Sequence, residues 1–232
     1  MVFGPIDLER ASTGPGGLFY GVYPALVVDL QDPDNQGRVK VRLPWSPDAD
    51  GGAYEVWARL AVLMAGNNRG TWFIPDVNDE VLIAFEGGNP RRPYVLGGLW
   101  NGSDRPPESM DANNTLKTIL SREGIRITMD DTSGAVKLTL ETPGGHSVVL
   151  DDGQRSLTAA DSNGNSIKME AQGITVTAVS KVTVNAPTVN VSAGMVNVDA
   201  GMSKFSGVVK CDTLITNAVV SASYTPGAGN VW

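Results

Sequence analysis

The sequence predicts an all-β chain: a small closed barrel, then a β-meander, then a C-terminal intertwined trimeric β-helix or prism. Three observations predict it. Short apolar alternations broken by Gly, Pro, Asn and Asp run through the 232 residues, while helical periodicity is scarce. Four of the five tryptophans (Trp45, Trp57, Trp72 and Trp100) and most prolines fall before residue 108, yet residues 171–200 hold no aromatic side chain and only two charges, Lys181 and Asp199. From Val182 onward a seven-residue unit recurs.

The first part reads as strands over Gly21–Leu30, Arg38–Leu43, Val56–Ala61, Thr71–Ile74, Glu80–Glu86 and Tyr94–Trp100. Turn formers separate them, with Gln31–Gly37 (QDPDNQG) between the first two and Gly87–Pro90 (GGNP) between the last two. Five or six short strands with Gly at the bends suit a small closed barrel such as the OB-fold. A generic small barrel or sandwich fits the same periodicity. Pro106-Pro107 marks a linker. The meander follows as Gly124–Met129, Ala135–Glu141, His146–Leu150, Ser156–Ala160 and Ser166–Glu170, joined by segments rich in Asp, Asn and Gly.

The repeat reads VTVNAPT (182–188), VNVSAGM (189–195) and VNVDAGM (196–202), preceded by ITVTAVSK (174–181), the same unit with one extra residue. Strand geometry sends the first, third and fifth residues to one face and the intervening polar residues to the other. Ala-Pro or Ala-Gly then supplies a corner. Fixed-period short strands with corners are the signature of a β-helix or prism. A single-chain coil of that kind needs about 20 residues or more to enclose an interior, so a seven-residue unit provides one face only. Its small inward set, Ile174, Val176, Val182, Val184, Val189, Val191, Val196 and Val198, suits a narrow axis shared by several chains. A Val/Thr-rich surface strand or a linker has a similar texture, but several units in register favour the shared axis.

Composition narrows the functions available. With 41% hydrophobic residues the chain can bury a core, and no run approaches the ~20 apolar residues of a spanning helix. The start, MVFGPIDLER, lacks a signal-peptide pattern, so the expected location is cytoplasmic at synthesis. A single cysteine, Cys211, leaves no intrachain disulfide, and a single histidine, His146, makes a histidine metal centre or triad hard to assemble. Net charge is −7, the wrong sign for gripping a phosphate backbone. No cofactor is expected.

Residues 73–101 (FIPDVNDEVLIAFEGGNPRRPYVLGGLWN) resemble the barrel signature of phage baseplate assembly protein V and of valine-glycine-repeat (VgrG) spike proteins of type VI secretion. Gly21–Tyr23 and Asp32–Trp45 are similar to that family's first hairpin, and Ser221–Trp232 resembles the end of spikes from phage-tail-like injection systems. The resemblance implies a structural homotrimer and no enzyme. Its OB-folds would sit at the baseplate hub on the inner tube, and its C-terminal needle would be driven through the target envelope on sheath contraction. The implied partners are hub and inner tube proteins, a PAAR-like tip protein at the apex, and the target membrane transiently, with no nucleic acid. It would work as a component of an assembled phage-tail-like particle. The expected domains are an arm (1–17), the OB-fold (18–105), a linker (106–120), the needle (121–223) and an apex tail (224–232). Tip binding falls to Tyr224, Pro226, Gly227, Val231 and Trp232. The short linker leaves no room for the lysozyme domain of larger relatives, and no histidine after His146 could build the His-x-His iron site of some short spikes. Asn78 stands where relatives often place Gly.

Two other functions are carried by particular residues. Asp130-Asp131 and Asp151-Asp152 could serve a glycan-cleaving β-helix enzyme, although they precede Gly at hairpin ends where Asp is an ordinary turn residue. The tryptophans could stack bases in an OB-fold nucleic-acid binder, but the acidic balance of residues 1–107 opposes it and packing is the better reading. Arg91-Arg92 reads as a solvated turn or a contact with a neighbouring subunit. His146 reads as a packing residue, and Cys211 as a small hydrophobe or spectator.

Overall fold

The computed structural model describes residues 17–47 and 52–222. Two units are distinguished, one ending at Lys181 and the other beginning at Val182. The arm expected over 1–17 and the tail over 224–232 therefore lie almost wholly outside the described residues.

In the first unit, β1 (Val22–Asp29), β2 (Val39–Pro47), β3 (Ala53–Leu60), β6 (Glu80–Phe85) and β7 (Pro93–Gly98) close into a barrel of order β1-β2-β3-β7-β6. All neighbours are antiparallel except β3 and β7. Period-two alternation is what fills it. Ala25 and Val27 of β1, Val39, Val41 and Leu43 of β2, and Val81, Ile83 and Phe85 of β6 all point inward and are buried. Ala58, Val95 and Phe19 complete the core, with Tyr54, Val56 and Leu60 partly buried against it.

One end is closed by aromatic rings. Phe19 packs edge-on to Tyr23 and Trp45, and Tyr23 stacks on Trp45 at 4.7 Å between centroids. The Trp45 indole N–H donates to the Pro24 carbonyl at 2.8 Å, so the half-buried ring packs there without an orphaned donor.

The strand expected at Thr71–Ile74 is absent. Instead Ala65–Gly66 (β4) and Arg69–Gly70 (β5) form a small hairpin around Asn67-Asn68, with Asn68 at φ 53°. The reason is topological: β7 pairs with both β3 and β6, leaving no barrel edge for another strand to join. Trp72 and Phe73 are consequently 75% and 70% exposed. The Asn78 position behaves as expected, since its φ of 78° lies in the left-handed region that Asn tolerates better than most side chains.

A seven-stranded antiparallel sheet follows, in simple meander order: β8 (Leu116–Leu120), β9 (Arg126–Asp130), β10 (Lys137–Glu141), β11 (Ser147–Asp151), β12 (Ser156–Ala160), β13 (Ser166–Glu170) and β14 (Gly173–Thr177). Five of these match the meander expected from sequence to within two residues. β8 corrects the linker assignment, because its residues fall inside the stretch 106–120. The last barrel strand ends at Gly98, ahead of Pro106-Pro107, and the chain re-enters regular structure at Leu116.

The connection is tied down by polar side chains. Asn101 donates to Glu80 and Asp104, Asp111 accepts from the backbone of Asn113 and Asn114, and Glu108 accepts from Thr118 and Arg126. Arg122, in the β8–β9 turn, reaches Asp76 on the barrel at 2.9 Å.

Asp caps organise the hairpins. Asp161 is the fullest case: its carboxylate accepts from the backbone N–H groups of Asn163 and Asn165 and from the Asn165 amide, both Asn165 contacts within 2.9 Å. Asn165 in turn accepts from the Val179 N–H, linking the turn to the segment after β14. The Asn165 side chain, then its backbone, pulls the Asp161 pKa from its usual 3.8 to about 2.

From Val182 to Ala222, no strand or helix is formed within the chain.

Two predictions follow from these turns. Replacing Asn78 with Ala should lower stability by about 1 kcal/mol through left-handed strain, while Asn78→Gly should be close to neutral in a denaturant titration. The Asp161 carboxylate is depressed on folding, so its stabilisation is full above the unfolded pKa near 4 and is lost as pH falls towards 2. Asp161→Asn should therefore melt below the parent protein near pH 6, with the gap closing between about pH 4 and pH 2.

Candidate functional site

Every buried apolar side chain among the described residues belongs to residues 19–95, inside or against the barrel. The seven-stranded sheet has none, although its sequence is rich in Ile, Leu, Val and Met. Strand register explains how both facts hold. Directly paired residues share a face, and the pairings trace one continuous row: Ile119, Ile127, Leu140, Val148, Ala159, Ile167 and Val176, one from each strand. Two residues along each strand a second row lies on the same face: Lys117, Met129, Leu138, Leu150, Leu157, Met169 and Ile174. Only Lys117, on the edge strand, interrupts it, and its ammonium donates back to the Asn114 carbonyl at 2.5 Å.

The opposite face is a different material. Its central row reads Thr118, Thr128, Thr139, Val149, Thr158, Lys168 and Thr175. A flanking row carries Asp130, Lys137 and Asp151 in register, with the Lys137 ammonium 3.0 Å from Asp151. Glu108 also meets Thr118 and Arg126 on this polar side, so the connection from the barrel lies against it at β8 and β9. An antiparallel sheet normally packs its apolar face on a core. Here that face has no second layer among the described residues, and contiguous apolar surface on this scale marks an association site.

Of the eight residues expected to line a shared axis, Ile174 and Val176 fall at the last strand of this face. Val182, Val184, Val189, Val191, Val196 and Val198 lie in the second unit. All eight are exposed, from 56% at Val176 to 71% at Val191 and Val198. Within the second unit these valines find no strand partner in their own chain. The five expected tip-binding residues, Tyr224, Pro226, Gly227, Val231 and Trp232, lie outside the described residues.

The acidic pairs are turn structure. Asp130 accepts from both the backbone N–H and the hydroxyl of Thr132, and Asp151 accepts from the Gln154 N–H. The Thr132 contacts hold Asp130 below the usual carboxylate range; the Gln154 N–H and then Lys137 do the same for Asp151. A glycosidase acid must stay protonated, with its pKa raised, and these two carboxyls are shifted the opposite way. His146 and Cys211 are both exposed. Trp45 packs at the end of the barrel as the packing reading expected, and Trp57 lies beneath Arg38, but Trp72 and Trp100 stand largely in solvent. Among the described residues no cluster of three or more His, Cys, Asp or Glu side chains could hold a metal ion, and no helix is long and apolar enough to cross a membrane.

The two-row continuity of the face was missed by periodicity alone. Alternation is visible in the five meander strands read from sequence, but only the register reveals that their apolar sets share one face. The signal available was spacing: turns that keep all seven strands in phase.

Comparison with known proteins assigns both parts. Residues 23–100 match the type VI secretion system/phage-baseplate injector OB domain, and residues 137–201 match the phage baseplate V C-terminal trimerisation domain. The chain is 33% identical over 114 residues to the type VI secretion system spike protein VgrG1a of Pseudomonas aeruginosa, covering 45% of this chain and 18% of that protein. It is 34% identical over 91 residues to the spike protein VgrG3 of Vibrio cholerae, covering 39% of this chain and 9% of that one. Over 91 residues it is 32% identical to the actin cross-linking toxin VgrG1 of Vibrio cholerae, covering 39% of this chain and 8% of the toxin. The matched part thus spans less than a fifth of each of these relatives.

A charge placed on either face of the sheet should separate their roles. Leu140→Asp puts a carboxylate in the middle of the apolar row and should abolish self-association in sedimentation velocity; Thr139→Asp, one residue away on the other face, should leave it intact.

Proposed function

Because the chain belongs to the baseplate V/VgrG-like spike family, we propose that it is the central spike of a contractile injection system. In this reading three copies seat their barrels at the baseplate hub on the inner tube. Their C-terminal parts wind into a needle that crosses the target envelope when the sheath contracts, and a separate PAAR-like tip protein covers the strand edges at the apex. The role is mechanical and needs no catalytic step.

The observation that carries the proposal is the uncovered apolar face. A single chain leaves thirteen apolar side chains on one side of its sheet, and three such sheets facing inward would bury all of them. The seven-residue units extend the same logic with smaller side chains. Each unit offers two valines and an alanine to an axis and polar residues to water, and equivalent units from three chains could pair edge to edge. A unit that advances by one strand spacing adds about 4.8 Å of length, so the repeats build height rather than girth. The trimerisation-domain match spans the junction between sheet and repeats, from residue 137 to residue 201.

Such a device needs stiffness along its axis and resistance to unfolding under load. Ladders of hydrogen bonds between chains and a dry Val/Ala interior provide both, because separating the chains would expose the whole axis at once. The barrel, with a complete core of its own, is suited to be the part that stays docked.

The test is a comparison of inward and outward substitutions. Val191→Asp or Val198→Asp would gather three desolvated carboxylates at one level of the axis, and each should dissociate or shorten the trimer. Asn190→Asp and Asn197→Asp, facing outward, should be tolerated. Small-angle scattering with multi-angle light scattering should report an elongated particle of three chains for the parent protein and the outward variants. A compact monomer for the parent protein, or equal effects from both sets, would overturn the assignment.

A further inference from the structure

On the barrel wall away from the core, Gln36, Arg38, Trp57, Arg59, Glu86, Arg91, Arg92, Pro93 and Tyr94 line a cleft of about 330 Å³. Four arginines line it, in residues 1–107 whose own balance of 13 acidic and 9 basic residues is −4. Two of them are already committed. Arg38 is held by Asp32 at 2.6 Å and Asp34 at 2.5 Å, with its guanidinium 5.8 Å from the Trp57 ring centroid. Arg92 reaches Glu86 at 3.5 Å, and Glu86 also accepts from the Tyr94 hydroxyl at 3.2 Å. Further along β2, Lys40 and Arg42 share Glu55 at 3.1 and 2.9 Å.

Arg59 and Arg91 remain. Neither has a carboxylate partner among the described residues. Arg59 lies 5.6 Å from the centroid of the Tyr94 ring, a cation–π contact that orients its guanidinium without neutralising it. Arg91 follows Pro90 in a tight turn fixed by its own backbone N–H donating to the Asn89 side chain at 3.0 Å, and its side chain extends into solvent. Two free planar forks beside two aromatic rings can take carboxylates by paired hydrogen bonds and an apolar side chain on the ring faces.

We propose that this cleft is a docking site for an acidic protein segment in which a carboxylate lies next to an aromatic or aliphatic side chain. Charge complementarity selects that occupant over a nucleic acid. Glu86 lines the same cleft and Asp34 is bonded to Arg38 there, so a continuous phosphate backbone would have to run past carboxylates to cross it. A short peptide can place one or two carboxylates and miss them. The proposal uses only groups of one barrel, so it stands or falls separately from the three-chain needle.

The test is fluorescence anisotropy on the full-length protein in its native assembly, using a labelled peptide of alternating aspartate and phenylalanine. Its asparagine counterpart and a labelled oligothymidine serve as comparison probes. The aspartate peptide should bind, weaken steeply with added salt, and lose at least about tenfold in affinity against Arg59→Gln/Arg91→Gln. Arg91→Gln alone, a change in an exposed turn, should give an intermediate loss, and Arg105→Gln, outside the cleft, should change nothing. Circular dichroism and sedimentation should be the same for all variants. No binding by the parent protein, equal binding by the double variant, or an asparagine peptide that binds as well would overturn the proposal. So would oligothymidine binding more tightly than the peptide and being lost in the same variants, which would make the cleft a nucleic-acid site.

Discussion

A β-sheet with one greasy face must bury that face, and nothing else in this molecule constrains its biology so strongly. The barrel meets the requirement internally, because five strands bent into a closed wall enclose their own alternate side chains. The meander cannot. Its strands are five residues long and its order is strictly sequential, so the sheet extends in one direction and never curls back over itself. The register keeps the two apolar rows on one side across seven strands, with Lys117 their one polar member. Slipping any one strand by a single residue would turn its apolar set towards the threonine face, so the turns must hold phase as well as reverse the chain. That explains the density of Asp caps at the hairpin ends.

The barrel and the proposed needle therefore place different demands on sequence. Barrel positions need bulk, because each inward side chain contributes to a core with one fixed volume: Leu43, Ile83 and Phe85 are all buried there. The repeat positions need smallness and sameness. A narrow line at which equivalent residues meet can take Val and Ala but not a ring, and the aromatic-free stretch from 171 to 200 fits that limit. The change of texture along the chain thus separates a core that one chain fills from repeats that form no strand within one chain.

Much of this was legible before any coordinates. The inward sets of β1, β2 and β6 follow from alternation alone, and the likeness to relatives with Gly at position 78 pointed to the left-handed turn that Asn78 adopts. Two elements were not legible, for physical reasons. Thr71–Ile74 has strand-like residues but no free barrel edge, and edge availability is a property of the fold, not of the segment. Leu116–Leu120 hid behind Pro106-Pro107 and carries Lys117 in an otherwise apolar register, which blurs the alternation. The cleft at Arg59 and Arg91 was invisible for a third reason. The two residues are 32 positions apart, and which of the neighbouring arginines are already neutralised depends on distances to Asp32, Asp34 and Glu86.

The self-sufficient core of the barrel bears on how such a particle could be made. Residues 19–98 are made before the meander and hold the strand pairings that close the barrel, so this portion can fold at a rate independent of how much protein is present. In the proposed three-chain spike the stretch that follows would wait for two sister copies, making the later stage a reaction of higher order. Neighbouring ribosomes on one messenger would shorten that wait by holding newly made copies close together.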